Sequence, residues 1–416
     1  MARVLLIHVP VGFEEAYPLA LASLAAPLLA RGHAVEGLDV ARVGLPGLRR
    51  RLARGDVDVA ALSVWSPGLA AARSVVAVLR EQRLRVVVGG PHASLAPDDL
   101  DADVVVRGEG EAAIVDAVEG ARSGVLGPGA PLDLAALPLP DRTVFRVADY
   151  HRDHNPRGAT YTPSVTSRGC LHSCTFCSAP ALWGRGHRVR PAEQVVEEWA
   201  RLASDHNVAA VLVEDDLFTQ DASRTTQLCE ALGARRDLPR FEVINGIRPE
   251  TITAGLAHLL ARAGCTRVAL SLETHSPAQL RALGRGDDLP RVARAVAALS
   301  SARIGVTGYF MLGLPGETAA DRLALFNYAR ELPLDMAHFS RASAWPGTSW
   351  AAPLSEVSAA ERAALYAAWY LHPGRARRAA HLLGAGPRDL PRMARRLVDW
   401  MVRPLEARHA DLGGPK

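Results

Sequence analysis

Short apolar runs alternate with amphipathic stretches along most of the chain. Val4 to Val9 reads as a buried strand, Leu19 to Ala30 as a helix ended by Gly32, and Ala34 to Val40 as a second strand. Val59 to Val64, Arg85 to Val88 and Asp103 to Arg107 continue the strand series, with a helix over Ala70 to Arg80. Pro27 is expected to kink the first helix. Strands this apolar, separated by amphipathic helices, predict an open parallel sheet of the Rossmann-like kind over residues 1–126.

A segment with Pro and Gly follows and reads as a linker over residues 127–145. The alternation then resumes, with strands at Ser164 to Thr166, Ala209 to Val213, Phe241 to Ile244, Arg267 to Leu272, Gly305 to Leu312 and Met336 to Ser340. Helices are expected at Glu193 to Ala203, Ser223 to Leu232, Ile252 to Ala263, Leu289 to Ser300 and Ala319 to Glu331. Six strands with helices between them predict a partial (β/α)6 barrel over residues 146–348 rather than an eightfold one. An Ala- and Arg-rich C-terminal region, residues 349–416, reads as helical.

Composition changes the picture in a few places. With 416 residues, 49% of them hydrophobic, the chain can bury two cores. A net charge of +4 is too small to argue for nucleic acid. The lone lysine, Lys416, excludes an internal Schiff-base lysine and a P-loop. Arg in place of Lys and abundant Ala suggest a GC-rich bacterial source. The apolar run from Ala16 to Ala30 follows two acids, Glu14 and Glu15, which does not suit a leader, and it is short of the roughly 18 residues of a membrane span. Five cysteines, an odd number, suit a reducing compartment. The expectation is a soluble cytoplasmic protein with no membrane partner.

Three of those five cysteines, Cys170, Cys174 and Cys177, fall within eight residues at C-x3-C-x2-C spacing, just after a strand. A four-iron cluster normally takes four thiolates, so a three-cysteine loop leaves one iron open to a small molecule. A zinc knuckle, with His172 or His187 as a fourth ligand, and three buried thiols are the competing readings. Cys229 and Cys265 stand alone in apolar helical patterns and read as packing residues.

The loop resembles that of the radical S-adenosylmethionine (SAM) superfamily. The resemblance implies a [4Fe-4S] cluster on the three cysteines, SAM chelated at the open iron, and reductive cleavage of SAM to a 5'-deoxyadenosyl radical that abstracts hydrogen from a small-molecule substrate. It also implies an external electron donor such as flavodoxin or ferredoxin, and places Phe176 near the adenine.

Active residues of a parallel barrel lie at the C-terminal ends of strands. Glu214-Asp215-Asp216 follow the second strand: a carboxylate there, Asp215 above all, suits the SAM ammonium, or the trio caps a helix. Arg248 suits the SAM carboxylate, or pairs with Glu250. Ser271 and Glu273 share a face at the fourth strand's end and suit ribose hydroxyls and the ammonium, or form a solvated strand end. Gly308 to Thr318, with Gly313 at its centre, resembles the superfamily's adenine-binding strand and turn. Tyr309, Glu214 and Tyr366 are candidates to move a proton or hydrogen atom, or else packing residues.

The first region has its own resemblance. Ser63 and Trp65 after one strand, Gly89 and Gly90 after the next, and Val106 to Glu111 look like the cobalamin-binding domain found ahead of many radical SAM enzymes. The D-x-H-x-x-G loop whose histidine ligates cobalt does not occur in this region, and His8, His33 and His92 read as packing or surface residues. The two resemblances imply cobalamin-dependent C-methylation. The alternatives are a radical SAM dehydratase, epimerase or oxidoreductase whose first domain only braces the barrel, suggested by the short region after Thr348, and a non-catalytic metal-binding scaffold.

Overall fold

The computed structural model describes residues 1–9, 17–120, 122–150, 160–286, 288–350 and 352–382. Glu14, Glu15 and the expected helical tail beyond residue 382 lie outside them. The described chain forms two compact units, one built on Met1–Tyr150 and the other on residues 160–180 and 184–382.

The first unit runs β1 (Arg3–His8), α1 (Leu19–Ala30), β2 (Ala34–Asp39), α2 (Val40–Leu52), β3 (Val59–Ser63), α3 (Leu69–Glu81), β4 (Arg85–Gly89), α4 (Pro91–Leu95), β5 (Val104–Val106), α5 (Ala113–Val118) and β6 (Gly124–Leu126). Its six strands pair in parallel in the order β2-β1-β3-β4-β5-β6. Leu5, Ile7, Ala60, Leu62, Val86 and Val88 supply the core. Successive residues of β1 are buried on both faces, which is why that strand reads as an unbroken apolar run. The chain order reverses between β1 and β3, opening a crevice at their C-terminal ends.

Helix α2 escapes the apolar pattern for a physical reason. Asp39 caps it, accepting from the Ala41 N–H at 2.9 Å, but Gly44 breaks it with φ 64° and Pro46 follows inside. The segment read as a linker carries no helix or strand between Leu126 and Val147, yet it is packed: Leu134 and Phe145 are buried, and Phe145 lies against Gly37 so closely that a Cβ there would meet its ring at 2.7 Å.

The rest of the described chain runs β7 (Thr160–Ser164), β8 (Ser167–Arg168), α6 (Ala179–Trp183), whose last three residues group with the first unit, β9 (Arg188–Val189), α7 (Ala192–His206), β10 (Val208–Val213), α8 (Ala222–Gly233), β11 (Arg240–Ile247), α9 (Ala254–Arg262), β12 (Cys265–Glu273), α10 (Pro277–Ala282), α11 (Leu289–Ser301), β13 (Gly305–Leu312), α12 (Ala319–Glu331), β14 (Met336–Arg341), α13 (Ala359–Tyr370) and α14 (Pro373–Leu382). Six parallel strands pair in the order β14-β13-β12-β11-β10-β7, a curled half-barrel, while β8 and β9 form a separate antiparallel pair. The expected first strand, Ser164 to Thr166, is corrected: the sheet strand is β7, and the chain turns at Val165 and Thr166 into β8. Pro163 obscures β7 in the sequence and is tolerated there because β7 is an edge.

Caps set the helix starts. Asp221, Thr253, Asp288 and Ser358 each accept a backbone N–H in the first turn of α8, α9, α11 and α13, and Thr318 with Asp321 forms a capping box on α12. The other edge, β14, is closed by side chains. Tyr366 Oη accepts from the Phe339 N–H at 2.7 Å and reaches the Phe339 carbonyl at 3.2 Å; Tyr370 Oη does the same at Ala337, at 3.2 and 2.9 Å. The two rings stack one helical turn apart on α13.

Candidate active site

The cysteine loop leaves β8 and is held from both sides. Asp216 accepts from the Gly169 N–H at 2.7 Å, and Gln220 Oε1 accepts from the Leu171 N–H at 3.1 Å and lies 3.6 Å from Cys170 Sγ. On the far side, the Thr175 N–H donates to the Leu283 carbonyl at 3.2 Å, and Gly284, with φ 71°, lets the turn after α10 approach Ser173. Cys170, Cys174 and Cys177 are half-buried, whereas Cys229 and Cys265 are buried.

Burial pushes the Cys177 thiol up to about 11, opposed by the Ala179 N–H at 3.4 Å, and raises Cys170 as well. A bound metal deprotonates such thiols outright. Arg248 Nη1 lies 3.6 Å from Cys174 Sγ, a charge-assisted donor that also suits a thiolate. Accessible thiols, a loop pinned at both ends and an adjacent cation fit a cluster. Among the described residues no three His, Cys, Asp or Glu side chains are arranged to hold a single metal ion, and burial lowers both His172 and His187.

The acids after β10 divide their work. Asp215 is 2% exposed, and its carboxylate accepts from the Thr166 N–H at 2.6 Å, Thr166 Oγ1 at 2.6 Å and Ser167 Oγ at 2.7 Å. It therefore fixes the turn from β7 into β8, from which the cysteine loop departs. Arg224 supports the same turn through Thr166 Oγ1 at 2.6 Å. Glu214 is half-buried at the strand end, where Asn245 Nδ2 donates to its carbonyl at 2.8 Å.

At the end of β12, Glu273 is buried, holds φ 63°, and pairs with Arg285 at 3.2 Å. A positive φ on a long acidic side chain is strain that the surrounding contacts must hold in place. Burial pushes the Glu273 carboxyl up, opposed by Arg285 and then Arg248. Arg285 Nη2 also donates to the Ser271 carbonyl at 2.6 Å, while its buried Nε has no protein partner. Arg285, Glu250 and Ser271 help to line a small cavity of about 10 Å³, room for one water. Arg248 does approach Glu250, at 3.6 Å, as well as Cys174. Gly246, with φ 92°, sits so close to Ser271 Oγ that a side chain there would overlap it.

Tyr309 projects from β13 next to these groups, donating to the Ile244 carbonyl at 2.7 Å and meeting the His338 ring edge-on at 5.6 Å. Gly313 has φ 83°; its N–H donates to Glu317 and its carbonyl accepts from Ser355 at 3.0 Å. Both polar groups of Gly313 are thus engaged within the chain, and its lack of a Cβ is what admits Ser355, whose carbonyl would lie 2.6 Å from one. Phe176 lies 6.5 Å from the Trp350 ring.

In the first unit, the candidate residues line the C-terminal rim of β3 and β4. Gly90, with φ 93°, lies against Ser63 Oγ and the Val64 backbone, and Trp65 is 54% exposed. Such a bare indole beside small, close-packed backbone fits a broad, partly apolar ligand. His92 is buried with both ring nitrogens engaged, by Ser66 and by Asp99 at 2.9 Å each, and His33 Nδ1 accepts from the Ala2 N–H.

Gln220, Arg224 and Arg285 were not singled out by the sequence. Gln220, Arg224 and Arg285 act from turns and helix starts rather than strand ends, so strand-end reasoning passes over them.

Comparison with known proteins places both units. Residues 164–329 match the radical SAM superfamily model, and residues 9–118 match the B12 binding domain model. The chain thus combines a radical SAM domain with a B12-binding domain. It is 27% identical over 359 residues to the uncharacterized methyltransferase PH0819 of Pyrococcus horikoshii, covering 80% of this chain and 77% of that one. It is 24% identical over 332 residues to an anaerobic magnesium-protoporphyrin IX monomethyl ester cyclase of Cereibacter sphaeroides, covering 72% of this chain but 54% of the cyclase. The fold resembles the radical SAM methyltransferase TsrM of Kitasatospora setae, solved with tryptophan and a SAM analogue bound, at TM-score 0.68 and 19% identity, covering 82% of this chain and 73% of that one. A second TsrM structure holds cobalamin and a [4Fe-4S] cluster. No helix among the described residues is long and apolar enough to cross a membrane.

Proposed function

We propose that the protein is a cobalamin-dependent radical SAM methyltransferase acting on a carbon of a small molecule. The observation that carries this reading is the pairing, in one chain, of a pinned three-cysteine loop at the strand ends of a half-barrel with a B12-binding sheet. When bound, the cluster supplies the electron that cleaves SAM, and the corrinoid supplies the methyl group.

The chain's own residues bind and orient. Cys170, Cys174 and Cys177 hold the cluster, and Asp215 and Gln220 keep their loop in place. Glu214, Glu273 and Arg248 offer two carboxylates and a guanidinium to the amino and carboxylate groups of SAM. Ser271 faces its ribose, Phe176 its adenine, and the Gly313 turn is the backbone wall beside it. Tyr309 is the residue placed to meet the substrate. Ser63, Trp65, Gly89 and Gly90 receive cobalamin. Flavodoxin or ferredoxin delivers the electron in a cytoplasmic setting, and a natural product is the substrate class.

Anaerobic reconstitution tests the reading: the protein should show iron-sulfur absorbance, retain supplied cobalamin, and cleave SAM under strong reduction. Cys174→Ala should lose the cluster, and unchanged iron in that variant would overturn the assignment. A second reading, a radical enzyme that forms or oxidises bonds without transferring methyl, is favoured by the likeness to the cyclase. SAM cleavage with no retained cobalamin would select it.

A further inference from the structure

Three residues of the first unit form a hydrogen-bonded chain that ends at the rim of its sheet. Ser66, just after exposed Trp65, lies with its Oγ 2.9 Å from His92 Nδ1, and His92 Nε2 lies 2.9 Å from Asp99 Oδ2. The imidazole is 4% exposed, and its backbone is fixed as well, the His92 N–H donating to the Val64 carbonyl at 2.9 Å. Asp99 is steadied by Arg73, whose Nε donates to the Asp99 carbonyl at 3.2 Å.

For a neutral ring, this order of groups sets the direction of the protons. A carboxylate only accepts, so the ring that bonds to Asp99 then carries its hydrogen on Nε2 and leaves Nδ1 bare. Bare Nδ1 can only accept, so the Ser66 hydroxyl spends its hydrogen on the ring. What Ser66 then presents at the rim is a pair of lone pairs: it accepts and does not donate. The position is the rim that follows β3 and β4, at the C-terminal ends of those strands.

We propose that Ser66 is an acceptor site for N–H groups of the ligand on this sheet, with His92 and Asp99 as positioning residues that fix its polarity. This rests on the reading of the unit as corrinoid-binding, and the donors are then the primary amides on the corrin periphery, with Trp65 covering the neighbouring apolar edge. His92, having both nitrogens committed, orients the serine and is not a cobalt ligand.

Titration of the full-length protein with cobalamin, followed by absorbance, tests this with no call on activity. Ser66→Ala should weaken binding about five- to tenfold, the range of one hydrogen bond, while Ser66→Thr, which keeps the hydroxyl, should stay within about twofold. The informative variant is Asp99→Ala. Alanine offers no acceptor to hold the ring hydrogen on Nε2, so the ring is free to turn its hydrogen toward Ser66 and the polarity of the hydroxyl is no longer fixed; binding should weaken toward the Ser66→Ala value although the variant melts like the wild type. If Ser66→Ala binds as the wild type does, the site is overturned; if only Asp99→Ala does, the relay is overturned. A wild type that fails to bind cobalamin at all would instead overturn the reading beneath both.

Discussion

Asp215 shows how a single carboxylate can matter to a cluster it does not touch. Its three accepted hydrogen bonds hold the turn from which the cysteine loop leaves β8. Asp215→Ala would strand buried donors at a cost of about 1–3 kcal/mol for each. The expected outcome is a lower thermal midpoint together with reduced iron content after reconstitution. Glu273 behaves differently, because burial raises its pKa above the unfolded value. The folded state then holds the proton more tightly, so this group favours folding at acid pH, and that contribution is lost as pH rises from the ordinary glutamate range through the raised value. Glu273→Gln should flatten the fall in stability across that window in urea titrations at stepped pH. Arg285→Met should steepen it, since the buried carboxylate loses its partner.

At the scale of elements, the Gly313 turn ties several parts of the half-barrel together. Glu317, which takes the Gly313 N–H, lies 3.5 Å from Arg322, and Arg322 in turn binds Glu361 at the start of α13. Strand, turn and C-terminal helix are thus tied through one arginine. Gly313→Ala meets both a positive φ and the Ser355 carbonyl and should cost more than about 1 kcal/mol, read as a lower urea midpoint. Element existence was legible in the sequence wherever the apolar period was clean, as in β1, α3, β13 and α12. It was not where a local rule was broken: Gly44 and Pro46 hid α2, and Pro163 hid β7. The cysteines were legible because spacing alone carries them. The partners of Asp215, Glu273 and Gly313 were not, because Thr166, Arg285 and Ser355 meet them only after the chain has turned.

Over the whole molecule, two units with separate sheets imply two ligand-linked stabilities. A ligand that binds one folded unit stabilises it by about 2.7 kcal/mol at a hundred times its Kd. Cobalamin should therefore raise the melting of the first sheet's unit, seen as later exposure of its amides to hydrogen exchange, with a smaller effect on the half-barrel. Equal protection of both sheets would show that they unfold together.

The paired tyrosines on α13 carry a consequence for how the molecule meets its own copies. An edge strand with bare peptide groups invites a strand from a neighbour. Tyr366 and Tyr370 each offer one hydroxyl that accepts and donates, standing in for the peptide group that a seventh strand would have supplied. Replacing both by phenylalanine would keep the stacked rings but uncap Ala337 and Phe339, and light scattering should then report self-association of a protein whose fold is otherwise intact.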